Sequence, residues 1–482
     1  MPEIGRILAV RLTRRAFLAT AAGTAVGTAV PRVAAAAGEA RSAQGFATFV
    51  SEPSLKVPTL DVATRTSPSP GLLFVTTLTG PGQRGPMIVD DRGRPVWFRR
   101  TSKVAINFRR QIYRGKPVLT WWEGDITQLG TGEGEGVILD TSYKEIARVR
   151  AGNGYAADVH ELLLTSQGTA VITIYNEVTR DLTSIGGPAA HPTLDSIVQE
   201  VDVKTGKVLF EWHSLDHVPV ADTYSPILTP FDYFHINSVD VDLDGNLLVS
   251  ARNTWGVYKL DRRTGEVIWR LGGKTTDYEL GPGVLFMYQH DARAQTDGTI
   301  TLYDDGSGDA SHQSRAIRIG LEQATRRAVL LQEFVHPSAI TAAAMGNAQF
   351  LPNGNVVVGW GTAPYVTEFG PLGDVRFDAK FDGDAWNYRA FRNVWRGRPA
   401  HPPAAAVRRR GGGATVYASF NGSTETAYWR VLGGPAPNAL RPLATVRSTG
   451  FETAIPLTRA PARLAVTALD ATKRPLGTSR LL

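Results

Sequence analysis

Two stretches of this chain share one pattern, Ala157-Asp-Val-His-Glu-Leu-Leu-Leu-Thr-Ser-Gln-Gly168 and Phe234-His-Ile-Asn-Ser-Val-Asp-Val-Asp-Leu-Asp-Gly245. Each holds an alternating or apolar run and a turn that ends on glycine. A second β-rich run follows directly, Thr169–Tyr175 or Asn246–Ala251. Short alternating runs bounded by turn residues are typical of β-strands paired in hairpins. The pattern therefore predicts repeated antiparallel units.

Weaker copies of the pattern extend the repeat. Two further turns lead into the runs Thr299–Tyr303 and Asn355–Trp360, and hairpins that end on tryptophan close several units, at 205–212, 264–269 and 91–97. Six units fit between about residues 67 and 385, at about 53 residues each, slightly longer than a usual propeller blade. We therefore predict an all-β fold, a six-bladed β-propeller. A string of separate β-sandwiches is the alternative, and the lack of Pro/Ser-rich linkers within 67–385 disfavours it.

The two ends of the chain differ from the repeat. Residues 1–36 contain Arg14-Arg15-Ala-Phe-Leu18, an Ala/Gly-rich apolar run and a small-residue cleavage site, which is the pattern of a twin-arginine export signal. The predicted domains are this signal (1–36), the propeller (37–397), a Pro/Gly/Arg linker (398–413) and a small sandwich-like β-rich domain (414–482). We expect an exported protein, secreted or attached to the cell envelope, with no transmembrane segment in the mature chain.

Composition excludes several classes of protein. The 482 residues include no cysteine, which excludes disulfide scaffolds, thiolate metal sites and cysteine nucleophiles. The net charge of +7 suggests an anionic partner, but residues 1–36 contribute +4, and the remaining +3 is ordinary for so long a chain. Because no basic run is interleaved with aromatic residues, we expect no nucleic-acid partner.

Three histidines occupy equivalent places in the repeat. His160 precedes its turn glycine by eight residues, His235 by ten and His290 by eight, whereas the fourth equivalent position is Gly346. The first strand of each propeller blade lines the central channel, so the three imidazoles are predicted to face one axial funnel.

Antiparallel pairing adds further side chains to this funnel, because the end of the second strand lies beside the start of the first. The residues placed there are Arg315, predicted near His290, together with Arg252, Asn253, Asn237, Trp122 and Trp360. A guanidinium matches the oxygens of a sulfate-like anion, and tryptophan suits an aryl group. The funnel is thus predicted to bind an aryl anion.

These residues resemble those of a known family. The motifs Phe234-His-Ile-Asn-Ser-Val239, Val249-Ser-Ala-Arg252, Thr264-Gly-Glu-Val-Ile-Trp-Arg-Leu-Gly-Gly273, Gln289-His-Asp-Ala292, Tyr303-Asp-Asp-Gly306 and Leu351-Pro-Asn-Gly-Asn355 are similar to those of the arylsulfotransferase family, as is the twin-arginine leader. The resemblance runs over most of residues 67–385. The small β-rich domain at 414–482 fits the actinobacterial and fungal branch of that family.

The resemblance implies a six-bladed propeller that moves a sulfuryl group from an aryl sulfate to a phenol through a sulfo-histidine, without a nucleotide cofactor. It assigns His235, His290 and Arg315 to the site. The family's covalent histidine is expected in the next blade, where this chain has Gly346-Asn347. The substitutes are His160, from the third blade, and His336, from a preceding loop.

Two other functions stay open at this stage. The three imidazoles could hold one cation in a metal-dependent propeller enzyme, although no metal ligand is assigned. The chain could also be a non-catalytic exported binding module whose tail domain contacts wall or glycan. The sequence gives neither the donor, the acceptor nor the oligomeric state.

Overall fold

The computed structural model of the protein describes residues 45–127, 130–306 and 312–482. Strands make up 50% of it and helices 4%, so the prediction of an all-β chain is confirmed. The described helices are single turns, α1 (Ser214–His217) and 3₁₀ turns at Thr183–Ile185, Val220–Asp222, Asp382–Asp384 and Pro437–Ala439. In these ranges no helix is long and apolar enough to cross a membrane. The predicted export signal at 1–36 lies outside the described residues.

The strands are short and follow one another closely along the chain. The first third contains β1 (Phe46–Thr48), β2 (Lys56–Pro58), β3 (Leu60–Arg65), β4 (Leu72–Thr76), β5 (Pro86–Val89), β6 (Pro95–Phe98), β7 (Val104–Tyr113), β8 (Lys116–Ile126), β9 (Gly132–Leu139), β10 (Glu145–Val149), β11 (Leu162–Leu164) and β12 (Thr169–Arg180). The middle contains β13 (His191–Asp202), β14 (Val208–His213), β15 (Ile236–Val241), β16 (Leu247–Ala251), β17 (Gly256–Leu260), β18 (Val267–Gly272), β19 (Glu279–Leu280), β20 (His290–Ala294), β21 (Ile300–Asp304), β22 (Arg315–Glu322) and β23 (Arg327–Val335). The last third contains β24 (Asn347–Phe350), β25 (Val356–Gly359), β26 (Tyr365–Phe369), β27 (Val375–Phe381), β28 (Phe391–Asn393), β29 (Ala404–Arg410), β30 (Gly413–Ser419), β31 (Tyr428–Gly434), β32 (Arg441–Arg447), β33 (Glu452–Leu457), β34 (Arg463–Leu469) and β35 (Pro475–Thr478).

Between residues 60 and 393 the strands form six sheets of four or five strands. Sheet 1 has the order β28-β4-β5-β6, and sheets 2, 3 and 4 contain β7 to β10, β11 to β14 and β15 to β18. Sheet 5 contains β20 to β23 with β19 at its edge, and sheet 6 contains β24 to β27 followed by β3. Neighbouring strands are antiparallel except β19 and β23.

The repeated sequence pattern corresponds to the first hairpin of a sheet. In sheets 3 and 4 the turn ends on Gly168 and Gly245, whose φ angles of 83° and 84° lie in the left-handed region that glycine adopts without steric cost. The run after each glycine is the second strand, β12 or β16. The prediction that each turn joins two antiparallel strands is confirmed for these two copies.

Six hydrophobic clusters connect the six sheets in a cycle. Each cluster contains buried side chains from two neighbouring sheets. Five of them lie between sheets 1 and 2, 2 and 3, 3 and 4, 4 and 5, and 5 and 6. A further cluster contains side chains of sheets 6 and 1, among them Phe377 and Leu73. Each sheet therefore buries apolar residues on both of its faces.

Two of the six sheets each include a strand from the opposite end of residues 60–393. β3 pairs with β27, so that Leu60 lies opposite Phe381, and β28 pairs with β4, so that Phe391 lies opposite Phe74. Both strands lie outside the predicted span of 67–385. β28 has only three residues and no alternating pattern, so the sequence did not indicate it.

Residues 404–482 form two further sheets, β29-β30-β33 and β32-β31-β34-β35. They pack face to face on a core that includes Val416 and Trp429. The predicted linker at 398–413 differs from the structure, because Ala404–Arg410 is strand β29 and pairs with β30. The prolines before it and the glycines after it had suggested a loop.

Candidate active site

The three equivalent histidines lie together. His160 precedes β11, His235 precedes β15 and His290 begins β20, so sheets 3, 4 and 5 each contribute one imidazole. The rings of His160 and His235 are nearly perpendicular, with centroids 4.9 Å apart. All three residues are buried, and His235 is the most exposed of them, at 8%. We call these three residues the histidine cluster.

Each imidazole of the cluster has a carboxylate of its own. The Nδ1–Oδ2 distances are 2.6 Å from His160 to Asp158, 2.5 Å from His235 to Asp232 and 2.5 Å from His290 to Asp305. A carboxylate at Nδ1 sets the tautomer and the orientation of the ring and leaves Nε2 for chemistry. None of these aspartates was predicted as a partner of the histidines. Asp158, two residues before His160, was visible in the repeat, whereas Asp305 follows His290 by fifteen residues.

The carboxylates differ in their hydrogen-bond partners. Asp158 also accepts hydrogen bonds from Gly132 N–H at 2.7 Å, His160 N–H at 2.9 Å and Thr173 Oγ1 at 3.1 Å. Burial by itself would raise the pKa of Asp158, but His160 and these hydrogen bonds hold it below the usual value. Burial raises the pKa of Asp305 well above the usual value, although Arg252 opposes the shift. Asp158 therefore stays ionised, whereas Asp305 favours a proton.

The imidazoles of His235 and His290 are kept neutral. Burial lowers the pKa of His290 well below its ordinary value, and the positive charge of Arg252 lowers it further. Burial also lowers the pKa of His235, against the opposing attraction of Asp232. Nε2 of His290 accepts the N–H of Met345 at 3.3 Å.

Arg252 supplies the positive charge beside the cluster. Its guanidinium donates to Asn253 Oδ1 at 3.0 Å and to the carbonyl of Ala343 at 3.4 Å, and lies 4.5 Å from the ring centroid of Tyr288. Asn253 in turn donates to the carbonyl of Asp232 at 2.6 Å. The structure thus places the predicted residues Arg252 and Asn253 next to the cluster.

Arg315 is not brought to the cluster, contrary to the expectation from the sequence. Its guanidinium donates to Asp304 at 2.9 Å, to Glu333 at 2.6 Å and to the carbonyl of Leu285 at 2.6 Å. Arg315 lies directly opposite Asp304 in the sheet, and the two acids hold its side chain along sheet 5. The guanidinium next to the imidazoles belongs to Arg252.

The other predicted binding residues divide between the site and the core. Trp122 donates its indole N–H to the carbonyl of Ala157 at 2.9 Å and packs in a cluster with Tyr388, whose ring lies 6.0 Å from that of His160. Asn237 is fully buried and donates to the carbonyl of Gln289 at 2.6 Å. These side chains support the walls of the site.

Trp360, predicted to bind substrate, lies instead in the hydrophobic core. It donates to Thr367 Oγ1 at 3.0 Å and packs among side chains of sheets 5 and 6. The ring of Trp360 extends between the two sheets and therefore belongs to their shared core.

Sheet 6 adds no imidazole to the cluster. Nε2 of His336 lies 3.3 Å from Asp378, and its ring packs on Trp360 and Tyr365. A Cβ atom at Gly346 would lie 2.4 Å from Cε1 of Tyr303, so no side chain fits there. His160 is therefore the one of the two substitute histidines that lies in the cluster.

A network of buried charges, which the sequence did not indicate, adjoins the cluster. Glu161 lies 2.5 Å from Arg109, 2.6 Å from Arg293 and 3.3 Å from Arg389. Asp291 lies 2.6 Å from Arg293 and 3.3 Å from Arg389. Burial alone would raise the pKa of Glu161, but the arginines hold it well below its usual value. Because Glu161 follows His160 and Asp291 follows His290, the network restrains the backbone that carries both imidazoles.

Sequence comparison identifies the family. The arylsulfotransferase (ASST) family model matches residues 109–382, more than half of the chain. The chain belongs to the arylsulfotransferase family. The matched region contains the histidine cluster and Arg252, and the family implies small-molecule aryl substrates and sulfotransferase activity. No curated protein matches this arylsulfotransferase-family chain.

The similarity to solved structures is low. A protein of unknown function from Bacteroides caccae is 13% identical with a TM-score of 0.40, and the match covers 67% of this chain and 98% of that one. Virginiamycin B lyase from Staphylococcus aureus is 9% identical with a TM-score of 0.30, and the match covers 74% of this chain and 94% of that one. Such likenesses give no functional information about this arylsulfotransferase-family chain.

Among the described residues, no group of three or more His, Cys, Asp or Glu is arranged to hold a metal ion. In the histidine cluster each Nδ1 is already engaged by a carboxylate. The chemistry that this arrangement favours is nucleophilic and proton-transfer chemistry at Nε2.

Proposed function

We propose that the chain transfers a sulfuryl group from an aryl sulfate to a phenol at the histidine cluster, without a nucleotide cofactor. The observation that carries the proposal is the convergence of three carboxylate-bound imidazoles beside Arg252, in a chain of the arylsulfotransferase family. Neutral imidazoles are nucleophiles and proton carriers near neutral pH, and a guanidinium fits the sulfuryl oxygens.

The proposal includes a six-bladed propeller, with sheets 1 to 6 as its blades. The cycle of six hydrophobic clusters and the pairing of β3 and β28 with distant strands support this architecture. The histidine cluster would then lie at one mouth of the axial channel, where the first strands of three blades begin.

We assign the nucleophile to His160, because hydrogen bonds from Gly132, His160 and Thr173 hold its carboxylate, Asp158, in the ionised form. In the first half-reaction Nε2 of His160 attacks sulfur, the bond from sulfur to the aryl oxygen breaks, and a phenoxide leaves. The imidazole then carries positive charge, which Asp158 stabilises at Nδ1. Asp305 favours a proton and would stabilise this charge less at His290.

The second half-reaction returns His160 to its free state. Neutral His235 accepts the proton of the incoming phenol, the phenol oxygen attacks sulfur, and the bond between sulfur and Nε2 breaks. His235 then releases this proton to solvent, and the phenoxide released in the first half-reaction takes one from water, so that one phenol and one aryl sulfate are formed overall. Arg252 holds the sulfuryl oxygens in both steps as a preorganised donor.

The test measures phenol release from a chromogenic aryl sulfate with a phenol acceptor. The His160→Ala, His235→Ala and His290→Ala variants should each lose activity, and His336→Ala, another buried histidine, should retain it. Incubation with donor alone should add one sulfuryl mass to the wild type and none to His160→Ala. Labelling of His160→Ala would move the nucleophile to another histidine, and no phenol release at high enzyme concentration would refute the proposal.

Two alternatives have their own readouts. A non-catalytic binding module would show ligand-induced thermal shifts that survive loss of the histidines. A metal-dependent enzyme would contain a stoichiometric transition metal by elemental analysis. Either result would contradict the proposal of sulfuryl transfer and favour the corresponding alternative function.

Export through the twin-arginine pathway is also part of the proposal, on the basis of the leader sequence. Replacement of both Arg14 and Arg15 by lysine should leave the protein inside the cell, whereas the wild type should be recovered outside it or in the envelope. Equal distribution of the two would contradict export by this route.

A further inference from the structure

The two parts of the described chain carry opposite net charges. Residues 404–482 contain eleven Lys and Arg against three Asp and Glu, a net charge of +8. Residues 45–403 contain 35 Lys and Arg against 40 Asp and Glu, a net charge of −5. The charge of the whole chain hides this separation because the two values offset each other. Charge separation on this scale concentrates the attraction for anions in the C-terminal sandwich, residues 404–482.

The positive charges of the C-terminal sandwich are not neutralised within the described chain. None of its eleven Lys and Arg side chains forms an ion pair with a described residue. Its acids are engaged elsewhere, since Glu425 pairs with Arg396 and Arg398, and Glu452 accepts the N–H of Ser51 at 2.6 Å. Asp470 caps its own turn by accepting the N–H of Thr472 at 2.8 Å. The cations are therefore available to an external anion.

The charges lie on both outer faces of the sandwich. In β29, Val407 packs against the core between the sheets, so the adjacent Arg408 points outward. In the other sheet Trp429 belongs to the same core, which places Arg430 on the opposite outer face. Arg447 shares that face, because Val446 beside it packs inward. Successive side chains of a strand point to opposite sides.

The aromatic rings on these faces are already covered by cations. Arg408 lies 5.4 Å from the ring centroid of Tyr417, and Arg447 and Lys473 lie 5.7 Å and 5.9 Å from that of Tyr428. Proteins that bind single-stranded nucleic acid use aromatic rings on which bases stack. The sandwich offers charge rather than stacking surfaces, so its ligand is recognised by repeated anionic groups.

We propose that the C-terminal sandwich binds a flexible linear polyanion that carries phosphate or sulfate groups. A flexible chain can contact both outer faces at once, whereas a flat lipid surface meets one of them. The site is separate from the histidine cluster, and the proposal does not depend on sulfuryl transfer.

The test measures binding of the full chain to long-chain inorganic polyphosphate, by fluorescence anisotropy over a range of salt concentrations. When binding neutralises phosphates, the logarithm of the binding constant falls linearly with the logarithm of the salt concentration, with a slope of about −0.7 to −0.9 per phosphate contact. The sandwich variant carries four substitutions, Arg408→Ser, Arg410→Ser, Arg430→Ser and Arg447→Ser. Its salt slope should be smaller by about three to four than that of the wild type.

A matched control removes the same number of exposed cations from residues 45–403. It carries Arg100→Ser, Lys116→Ser, Lys207→Ser and Arg327→Ser. Binding and slope of the control should stay close to the wild type. Equal weakening by both variants would overturn the proposal, because net charge alone would then explain the binding. Near-UV circular dichroism and melting temperature establish that both variants are folded.

Two half-variants test contact with both faces. The Arg408→Ser, Arg410→Ser pair and the Arg430→Ser, Arg447→Ser pair should each remove about half of the slope change, because each lies on a different face. If one pair accounts for the whole change, the two-faced contact is wrong. Tighter binding to anionic phospholipid vesicles, or to single-stranded DNA, than to polyphosphate of equal charge would also overturn the proposal, as would no binding at low salt.

Discussion

Sheets 5 and 6 begin with the same sequence pattern but differ in what they bring to the site. Sheet 5 begins with His290, whose imidazole joins the histidine cluster. At the equivalent start of sheet 6 stands Gly346, and Tyr303 from sheet 5 occupies the space that a side chain would need. The repeat thus determines where the first strand begins, whereas the neighbouring sheet determines whether a functional side chain fits there.

Each of these sheets nevertheless has an aspartate beside a buried histidine. The distance from His290 to Asp305 is 2.5 Å, and that from His336 to Asp378 of sheet 6 is 3.3 Å. His336 lies in the connection between β23 and β24, and its ring packs on Trp360 and Tyr365 of sheet 6. A histidine–aspartate pair therefore indicates a functional site only when it lies beside other such pairs, where the first strands of neighbouring sheets begin.

The largest expected effect comes from the carboxylate of the proposed nucleophile. The Asp158→Asn variant should lose about 10³-fold in kcat, because the amide cannot stabilise the charged imidazole of His160 or fix its tautomer. The measurement is sulfuryl transfer from a chromogenic aryl sulfate, with circular dichroism to establish folding.

The matched control for that prediction is Asp378→Asn, which alters the histidine–aspartate pair of sheet 6. It should change kcat by less than about threefold, because surface and core positions outside the site act on activity only through stability. If both variants lost kcat equally, a location at the start of a first strand would not distinguish the His160–Asp158 pair from the His336–Asp378 pair.

The second prediction concerns the crowding at sheet 6. Gly346→Ala should destabilise the protein by about 2–4 kcal/mol, because the new methyl group meets Tyr303 and because φ is 97°. Gly154→Ala is the control, since Gly154 has φ 84° and open space around it, and should cost about 1 kcal/mol.

Denaturant unfolding measures both variants. The difference between them isolates the steric contribution of Tyr303 from the backbone contribution of a left-handed φ angle. Equal costs would show that sheet 6 has room for a side chain, and that its lack of an imidazole has another cause.

The sequence predicted well what depends on local repeats. The positions of His160, His235 and His290 followed from their spacing to a turn glycine, because that glycine fixes the hairpin on which each lies. Asp158 was within reach of the same argument. Asp305 lies beside His290 through the pairing of β20 with β21, so the antiparallel pairing that was used to place Arg315 also points to Asp305.

Features that depend on tertiary contacts could not be predicted in this way. Arg315 was expected at the site from strand order and from the family resemblance, but two acids in sheet 5 hold its side chain elsewhere. Trp360 was placed in the site although its ring fills a core between sheets. The opposite charges of 404–482 and 45–403 were concealed in one net value for the whole chain.

The pH dependence of activity tests the role of His235. A base must be neutral to accept a proton, so activity should fall only as the pH drops below the lowered pKa of His235, which places the acid limb of kcat/KM below pH 6.5. Asp232 raises this pKa against the effect of burial. The Asp232→Asn variant should therefore shift the acid limb to still lower pH, and a shift to higher pH would contradict the assignment.

The smallest expected effect on kcat/KM is that of Arg315, which is compared with Arg252. Arg315→Gln should change kcat/KM by less than about twofold, because its guanidinium is engaged by Asp304 and Glu333 and does not contact the cluster. Arg252→Gln should lower kcat/KM by about 10²-fold, as expected for loss of one preorganised donor to the sulfuryl oxygens. If Arg315→Gln had the larger effect, the guanidinium of sheet 5 would have to reach the substrate during turnover, and sheet 5 would then contribute both its histidine and its arginine to the site.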